Sequence, residues 1–491
     1  MSRSGASHDL AIVGGRVVDP ETGLDAERNV GIVGGRIASV TADAITARHT
    51  VEAHGLVVAP GWIDLHSHAQ TVAGGRLHAR DGVTTALDLE GGLLDVAGHY
   101  ARAGEEGRPI NYGYSTSWQQ ARMLHVGALP TGELVDILGH FGDPAWKRTA
   151  SDRQLDRIEE HLRRDLADGA IGIGLLVGYA PGVDPAEYVR MSAVAADTGT
   201  ATFTHARDLV EHVPHAVIDG AEELVRAAES TGAHSHYCHI NSTSLWDIDR
   251  VHDLIERSPA RVTTEAYPYG AAATSISADF LAPNRLHEHR LTPASIVYSP
   301  TGERIADAAR LDHLRATDPG AVAIIHYLDE HEPRDQEVLR RALGFPGTVI
   351  GSDAMPLSWP AAVADPQAWP PPDLTVHPRG AGTFSRYLRR YVRELGTVSL
   401  VDAIHQCTLG PAQILEPFVP AMRTKGRIRT GADADLVVFD PDTVTDHATY
   451  DAGTRASTGY AAVVVGGELL VENDVLRLDV LPGRPVRAVA Q

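Results

Sequence analysis

Ala59-Pro60-Gly61-Trp62-Ile63-Asp64-Leu65-His66-Ser67-His68 is the stretch from which the rest of the chain is understood. A largely apolar run from Gly55 to Leu65 ends in His-x-His, the pattern of a buried strand with two imidazoles at its C-terminal tip. Alternate side chains of a strand share a face, so His66 and His68 point the same way. Two neutral imidazoles held that close make a poor apolar core but a good beginning for a divalent metal site. Taken alone, the pair is better explained as two solvated loop histidines in a chain with 25 of them. Only further ligands elsewhere in the sequence decide between the two.

Moving outward, the segment 59–423 alternates short apolar runs with helical patterns. Strands are expected at 61–66, 83–89, 110–115, 170–175, 201–205, 233–239, 261–266 and 348–353. Amphipathic helices fall between several of them, over 151–168 with Ser151 as N-cap, over 185–197 and over 218–230. Eight strands with mostly helical crossovers spell a (β/α)₈ TIM-like barrel in the α/β class. A ninth apolar run, 322–327, leaves the count open. The Pro- and Gly-punctuated stretch 267–320 is too long for an ordinary connection and is expected to form a lid over the barrel mouth. The proline-rich run 359–378 should line the same mouth.

Both chain ends carry a different signature. Short apolar or alternating runs broken by Gly14-Gly15, Gly34-Gly35 and Gly466-Gly467 indicate small antiparallel hairpins. A small β-sandwich domain built from both termini, 1–58 and 424–491, is therefore expected to flank the barrel.

Composition restricts the partners. Of the 491 residues, 43% are hydrophobic and 22% charged, the balance of a globular chain. A net charge of −21 argues against nucleic acid, which needs a basic footprint. No apolar run is long enough to span a bilayer, and Met1 to His8 lacks the apolar core of a signal peptide. Cys238 and Cys407 are too few for a disulfide framework, which with the preceding points suggests a cytoplasmic protein. A small-molecule substrate fits this picture, and homo-oligomer formation stays open. An anionic substrate would meet a repulsive field and need a local arginine.

Function in such a barrel collects at the C-terminal strand ends. Those ends carry His66 and His68 after the first strand, Glu90 after the second, His205 after the fifth, His239 after the sixth and Asp353 after the last. Each is of a type that binds zinc or moves protons, and their shared pole is what favours a metal site over unrelated polar strand ends. Asp353 has a plainer alternative as the N-cap of a helix after the last strand.

The sequence resembles the amidohydrolase superfamily, and within it the D-aminoacylase (N-acyl-D-amino-acid deacylase) group. The likeness covers nearly the whole chain. It is carried by the stretch Pro60 to His68, by Asp81-Gly82-Val83-Thr84-Thr85, Gly169-Ala170-Ile171-Gly172-Ile173-Gly174, Ala266-Tyr267-Pro268-Tyr269, Gly351-Ser352-Asp353 and His377-Pro378-Arg379-Gly380-Ala381-Gly382-Thr383-Phe384. The resemblance implies one or two divalent ions, usually Zn2+, with His66 and His68 matching the first-strand pair and His205 and His239 the ligands of a second ion. It implies that Asp353 is the general acid/base.

Two departures stand out. Many superfamily members bridge their metals with a carboxylated lysine from the fourth strand, whereas 170–175 has none, and the chain's only lysines are Lys147 and Lys425. Deacylases of this group use a second-strand cysteine, whereas here that strand reads Ala86-Leu87-Asp88-Leu89-Glu90. Glu90 is the best substitute, because its oxygens can ligate one ion or bridge two. Asp88 shares its face and is the fallback.

The resemblance implies hydrolysis of N-acyl-D-amino acids, with Asp353 accepting a proton from water and delivering it to the departing amine. A substrate carboxylate is best held by a guanidinium, and Arg379, in the family's His-Pro-Arg motif, is the first candidate. Arg207 is the second, though it fits equally as a surface residue of the following helix. Tyr267 and Tyr269 are expected either to offer hydroxyls to the substrate or to pack beneath the lid. Asn241 stands where several members of the group carry a carboxylate-binding lysine. The alternatives are a cyclic amide or imide hydrolase of the hydantoinase and dihydroorotase type, which normally has the missing lysine, and a metal-free binding protein.

Overall fold

The computed structural model describes residues 7–359, 365 and 368–489. Eight parallel strands follow one another around a single sheet in chain order. They are β1 (Trp62–Asp64), β2 (Val83–Leu93), β3 (Asn111–Ser117), β4 (Gly172–Leu175), β5 (Ala201–Thr204), β6 (His234–Tyr237), β7 (Val262–Ala266) and β8 (Thr348–Ile350). The circle closes between β8 and β1 at its C-terminal rim, where Asp353 N–H donates to His66 O at 2.7 Å and His68 N–H to Ala354 O at 2.8 Å. Asp64 secures the seam from beneath, because its Oδ1 accepts from the N–H groups of both His66 and Ser352.

Strand alternation separates two apolar clusters. Ile63, Leu87, Ile171, Phe203 and Val349 share one, while their neighbours Trp62, Ala86 and Ala170 join the other, together with helix residues such as Val194 and Leu224. The helices Asp152–Ala167, Pro185–Asp197 and Gly220–Thr231 lie where the sequence places them. Ser151 caps the first of these in a reciprocal box with Gln154.

The ninth apolar run is not a barrel strand. Val322–His326 pairs antiparallel with Ala271–Ser275 and with Ile296–Tyr298, and Glu303–Arg304 completes a separate four-stranded sheet. The terminal strands form the expected small β-domain, hydrogen-bonded as one continuous nine-stranded sheet. Leu10, Val30, Ile37, Val51, Val58, Leu436 and Val464 from seven of those strands meet in one core. Strand His8–Asp19 pairs in parallel with Ala47–Glu52 along its first half and with Val57–Pro60 along its second, and antiparallel with Leu24–Val33, where the register shifts between Ile12 and Gly15. The last described residues return to the barrel, where Val486 N–H donates to Tyr112 O and Tyr100 Oη–H to Val486 O.

Both lysines are held in structural ion pairs. Lys147 meets Asp279 at 2.7 Å, and Lys425 meets Asp435 at 2.5 Å and Asp433 at 2.9 Å. Among the described residues, no helix is long and apolar enough to cross a membrane. Of the proline-rich run 359–378, residues 360–364, 366 and 367 lie outside those described. Asp373, Leu374, Thr375, Val376 and His377 line a cavity beside the barrel mouth, together with Met355 and Leu357.

Candidate active site

Glu90 stands at the centre of the C-terminal pole. Its Oε2 lies 3.3 Å from His66 Nε2 and 3.7 Å from His68 Nε2. Its Oε1 lies 2.7 Å from His239 Nε2 and 3.1 Å from His205 Nδ1. One carboxylate oxygen therefore faces the first-strand imidazoles and the other faces the pair from the fifth and sixth strands. Asp353 Oδ1 approaches the same first pair, 3.4 Å from His66 Nε2 and 3.7 Å from His68 Nε2.

Local backbone features make this convergence feasible. β2 is in register with β3 through Asp88 and resumes only at Leu93, so Glu90 sits in a bulge that re-aims its side chain. β4 can approach that bulge because Gly174 has no Cβ; one built there would lie 2.3 Å from Glu90 O. Gly178 does the same for His205, whose Cδ2 would be 2.5 Å from an added Cβ. His239 and Asp353 hold left-handed backbone, with φ of 34° and 52°. Such conformations cost about 1–3 kcal/mol each and persist only where surroundings impose them, as the bond from Asp353 N–H to His66 O does here.

Each first-strand imidazole is oriented from behind. His66 Nδ1 hydrogen-bonds Glu265 Oε1, and His68 Nδ1 meets Asp88 Oδ1 at 3.0 Å. Asp88, the sequence fallback for Glu90, thus acts on the far nitrogen of His68, while its Oδ1 also accepts from Gly92 N–H. Glu265 escaped the sequence reading, which examined only residues at or beyond the strand tips. The available signal was an acid in the buried strand Thr263-Thr264-Glu265-Ala266.

Burial pushes the Glu90 carboxyl up, but His66, His239 and His205 reverse this and hold it well below its ordinary value. Burial opposes protonation of His68, yet Asp88 and Glu90 raise it to about 9. His66 is likewise raised, against its burial, by Glu265, Glu90 and Asp353. Burial dominates at His205 and lowers it despite Glu90. A buried nest of carboxylates that drives protons onto facing imidazoles is a place where positive charge is favoured.

The donor set suits a divalent ion. Ligand atoms of His66, His68 and Glu90 lie within 4.8 Å of one another, as do those of Glu90, His205 and His239. Two imidazoles and one carboxylate match zinc preferences in both sets.

The remaining candidates are placed less uniformly. Arg379 is buried and its Nη1 lies 2.8 Å from Asp353 Oδ2, while Nη2 donates to Ala273 O. Its guanidinium lies 5.2 Å from the Tyr267 ring centre, and the Tyr267 hydroxyl has no partner. Tyr269 instead packs under Arg386 and against His377, turned away from the ligands. Asn241 is engaged by backbone, accepting from Tyr267 N–H and donating to Tyr269 O. Arg207 is not a surface residue: it is buried and paired with Glu223 at 2.7 Å. A cleft open to solvent reaches His68, Glu90, His205, His239 and Asp353. Its far wall includes Ala273, Phe280 and Ile325 from the segment between β7 and β8.

Comparison with known proteins agrees with this geometry. A family described as the amidohydrolase family matches residues 49–471. An N-acyl-D-glutamate deacylase of Alcaligenes xylosoxydans xylosoxydans is 30% identical over 94% of this chain and 93% of its own. A D-aminoacylase of the same organism is 28% identical over the same shares. The crystal structure of an N-acyl-D-glutamate deacylase from Bordetella bronchiseptica, complexed with zinc and a phosphonate inhibitor that mimics the tetrahedral intermediate, superimposes with a TM-score of 0.76. It is 26% identical, and the match covers 98% of this chain and 100% of that one.

Proposed function

This chain belongs to the amidohydrolase family, and we propose that it is a zinc-dependent hydrolase of N-acyl-D-amino acids, releasing a carboxylate and a free D-amino acid. The observation that supports this best is the Glu90 carboxylate divided between His66/His68 and His205/His239, with Asp353 beside the first pair. His66, His68, Glu90, His205 and His239 would hold one or two ions. Such an ion acidifies water and polarises the scissile carbonyl.

Asp353 is the proton carrier. Its Oδ1 faces the first-strand imidazoles, placed to take a proton from the attacking water and pass it to the departing nitrogen. Arg379 grips its other oxygen and fixes the carboxylate plane. Tyr267, with an unpartnered hydroxyl beside Arg379, is the tyrosine better placed to meet substrate. The hand of the amino acid is taken from the deacylases above, not from the geometry. A cyclic-amide hydrolase with a lysine bridge is disfavoured because Lys147 and Lys425 are both engaged elsewhere. Cys238 and Cys407 are both free and buried, in keeping with a cytoplasmic setting.

The test is to incubate zinc-loaded protein with N-acetyl-D- and N-acetyl-L-amino acids, hydantoin and dihydroorotate. Amine release from D-substrates is expected; ring opening without amine release would refute the proposal.

A further inference from the structure

Among the described residues, one set of metal-ligating side chains lies outside the Glu90 pole: Asp208, Glu288 and His289, each with a ligand atom within 4.8 Å of the other two. They come from distant parts of the chain. Asp208 follows β5, whereas Glu288 and His289 lie in the short turn Leu286–His289, inside the long excursion between β7 and β8. Asp208 and His289 both line the catalytic cleft. The Phe280 ring neighbours both centres, 6.5 Å from the His205 ring and 6.4 Å from that of His289.

Grouped carboxylates alone do not make a site; the imidazoles do. His289 is 8% exposed, and its Nε2 has no hydrogen-bond partner although Asp208 Oδ1 lies 3.2 Å away. His212, 9% exposed, repeats the pattern. Neither of its ring nitrogens is hydrogen-bonded, with Nε2 3.3 Å from Asp247 Oδ2 and the ring centre 5.6 Å from that of His289. Leaving buried nitrogens unpaired is costly, and each such group calls for a partner. Contacts of this length that are not hydrogen bonds are what a shared ion produces: bonds of about 2.0–2.2 Å at a tetrahedral angle put donor atoms about 3.3–3.6 Å apart. The Glu90 pole has the same spacing, with Glu90 Oε2 3.3 Å from His66 Nε2.

Arg285 does not take the place of such an ion. Its Nε and Nη2 both go to Glu288 Oε2, and Nη2 also reaches Asp208 Oδ2, whereas Asp208 Oδ1 is the oxygen that faces His289. Asp208, Glu288 and Asp247 supply three negative charges here and Arg285 one positive, because Arg290 stacks on Trp246 at 4.2 Å and Arg250 is paired with Glu211 and Asp219. The surplus favours a cation, and an imidazole beside carboxylates suits zinc better than a hard ion that takes only oxygen.

We propose that Asp208, Glu288 and His289 form a divalent-cation site for Zn2+, separate from the Glu90 pole, whose ion ties the excursion between β7 and β8 to the barrel wall beside the catalytic cleft. The site does not depend on what the Glu90 pole hydrolyses.

Crystals of the zinc-loaded full chain should show an anomalous peak about 2.0–2.2 Å from Asp208 Oδ1 and His289 Nε2, whatever is found at Glu90. No peak there under saturating zinc overturns the inference. In solution, elemental analysis after dialysis against zinc should count one ion per chain fewer in Asp208→Asn and in His289→Gln than in the parent, with circular dichroism unchanged; an equal count in both variants overturns it. Should either variant fail to fold, the anomalous peak in the parent decides. Zinc at ten times its dissociation constant should also slow proteolytic cleavage within 279–289 about tenfold in the parent but not in His289→Gln. Equal slowing in both would refute the tie between excursion and barrel.

Discussion

His239 Nε2 and Glu90 Oε1 meet at 2.7 Å although 149 residues separate them in the chain. The opposite oxygen of the same carboxylate faces His66 at 3.3 Å. Glu90 thus touches both imidazole pairs, whereas among the described site imidazoles Asp88 meets His68 alone, at its outer nitrogen. Glu90→Ala should lose most bound zinc, while Asp88→Ala, equilibrated with excess zinc, should retain it near the parent level. Elemental analysis of both variants checks this, and equal metal content would remove the assignment.

Asp353 lies beside the imidazoles but spends its second oxygen on Arg379. Asp353→Asn keeps the shape and removes the proposed proton carrier. Turnover should fall by about 10²- to 10⁴-fold with zinc content retained. Steady-state rates measured alongside metal content separate this from simple loss of the ion, and retained activity would contradict the role.

Glu265 buttresses His66 through Nδ1 and also reaches His236 Nε2 at 3.2 Å. Glu265→Gln should weaken zinc affinity by about 10- to 100-fold without altering the fold, as expected when a ligand's orienting partner is changed. Zinc titration against a competing chelator, with circular dichroism as the folding control, reads the effect.

Much of this site was legible before any coordinates. His66, His68, Glu90, His205, His239 and Asp353 each end or follow an expected strand, and because the strands of such a barrel share a C-terminal pole, they fall at one place. Glu265 was not legible in the same way, because its role depends on contact with His66 across 199 residues and on being buried within a strand. Arg207 read as a surface residue because sequence does not reveal that Glu223 comes to meet it. The run 322–327 looked like a barrel strand because an apolar stretch does not name its partner. That partner, Ala271 to Ser275, is Ala-Ala-Ala-Thr-Ser, and tertiary pairing there overrides weak strand propensity.

Gly174 matters for space rather than for backbone freedom, since a Cβ there would lie 2.3 Å from Glu90 O. Gly174→Ala should destabilise the chain by about 1–3 kcal/mol and disturb zinc binding, because the bulge carrying Glu90 must move. Gly182→Ala is the control, with nothing within 4 Å of the added atom and an expected change of under about 0.5 kcal/mol. Urea denaturation of both variants provides the comparison, and a neutral Gly174→Ala would refute the packing argument.

Anomalous diffraction at the zinc edge, from crystals of the zinc-loaded protein, tests most directly whether this pole grips a catalytic ion. A peak about 2.0–2.2 Å from a Glu90 oxygen and from His66 and His68, or from His205 and His239, is expected. Zinc found only elsewhere on the chain, with none at Glu90 under saturating metal, would contradict the assignment.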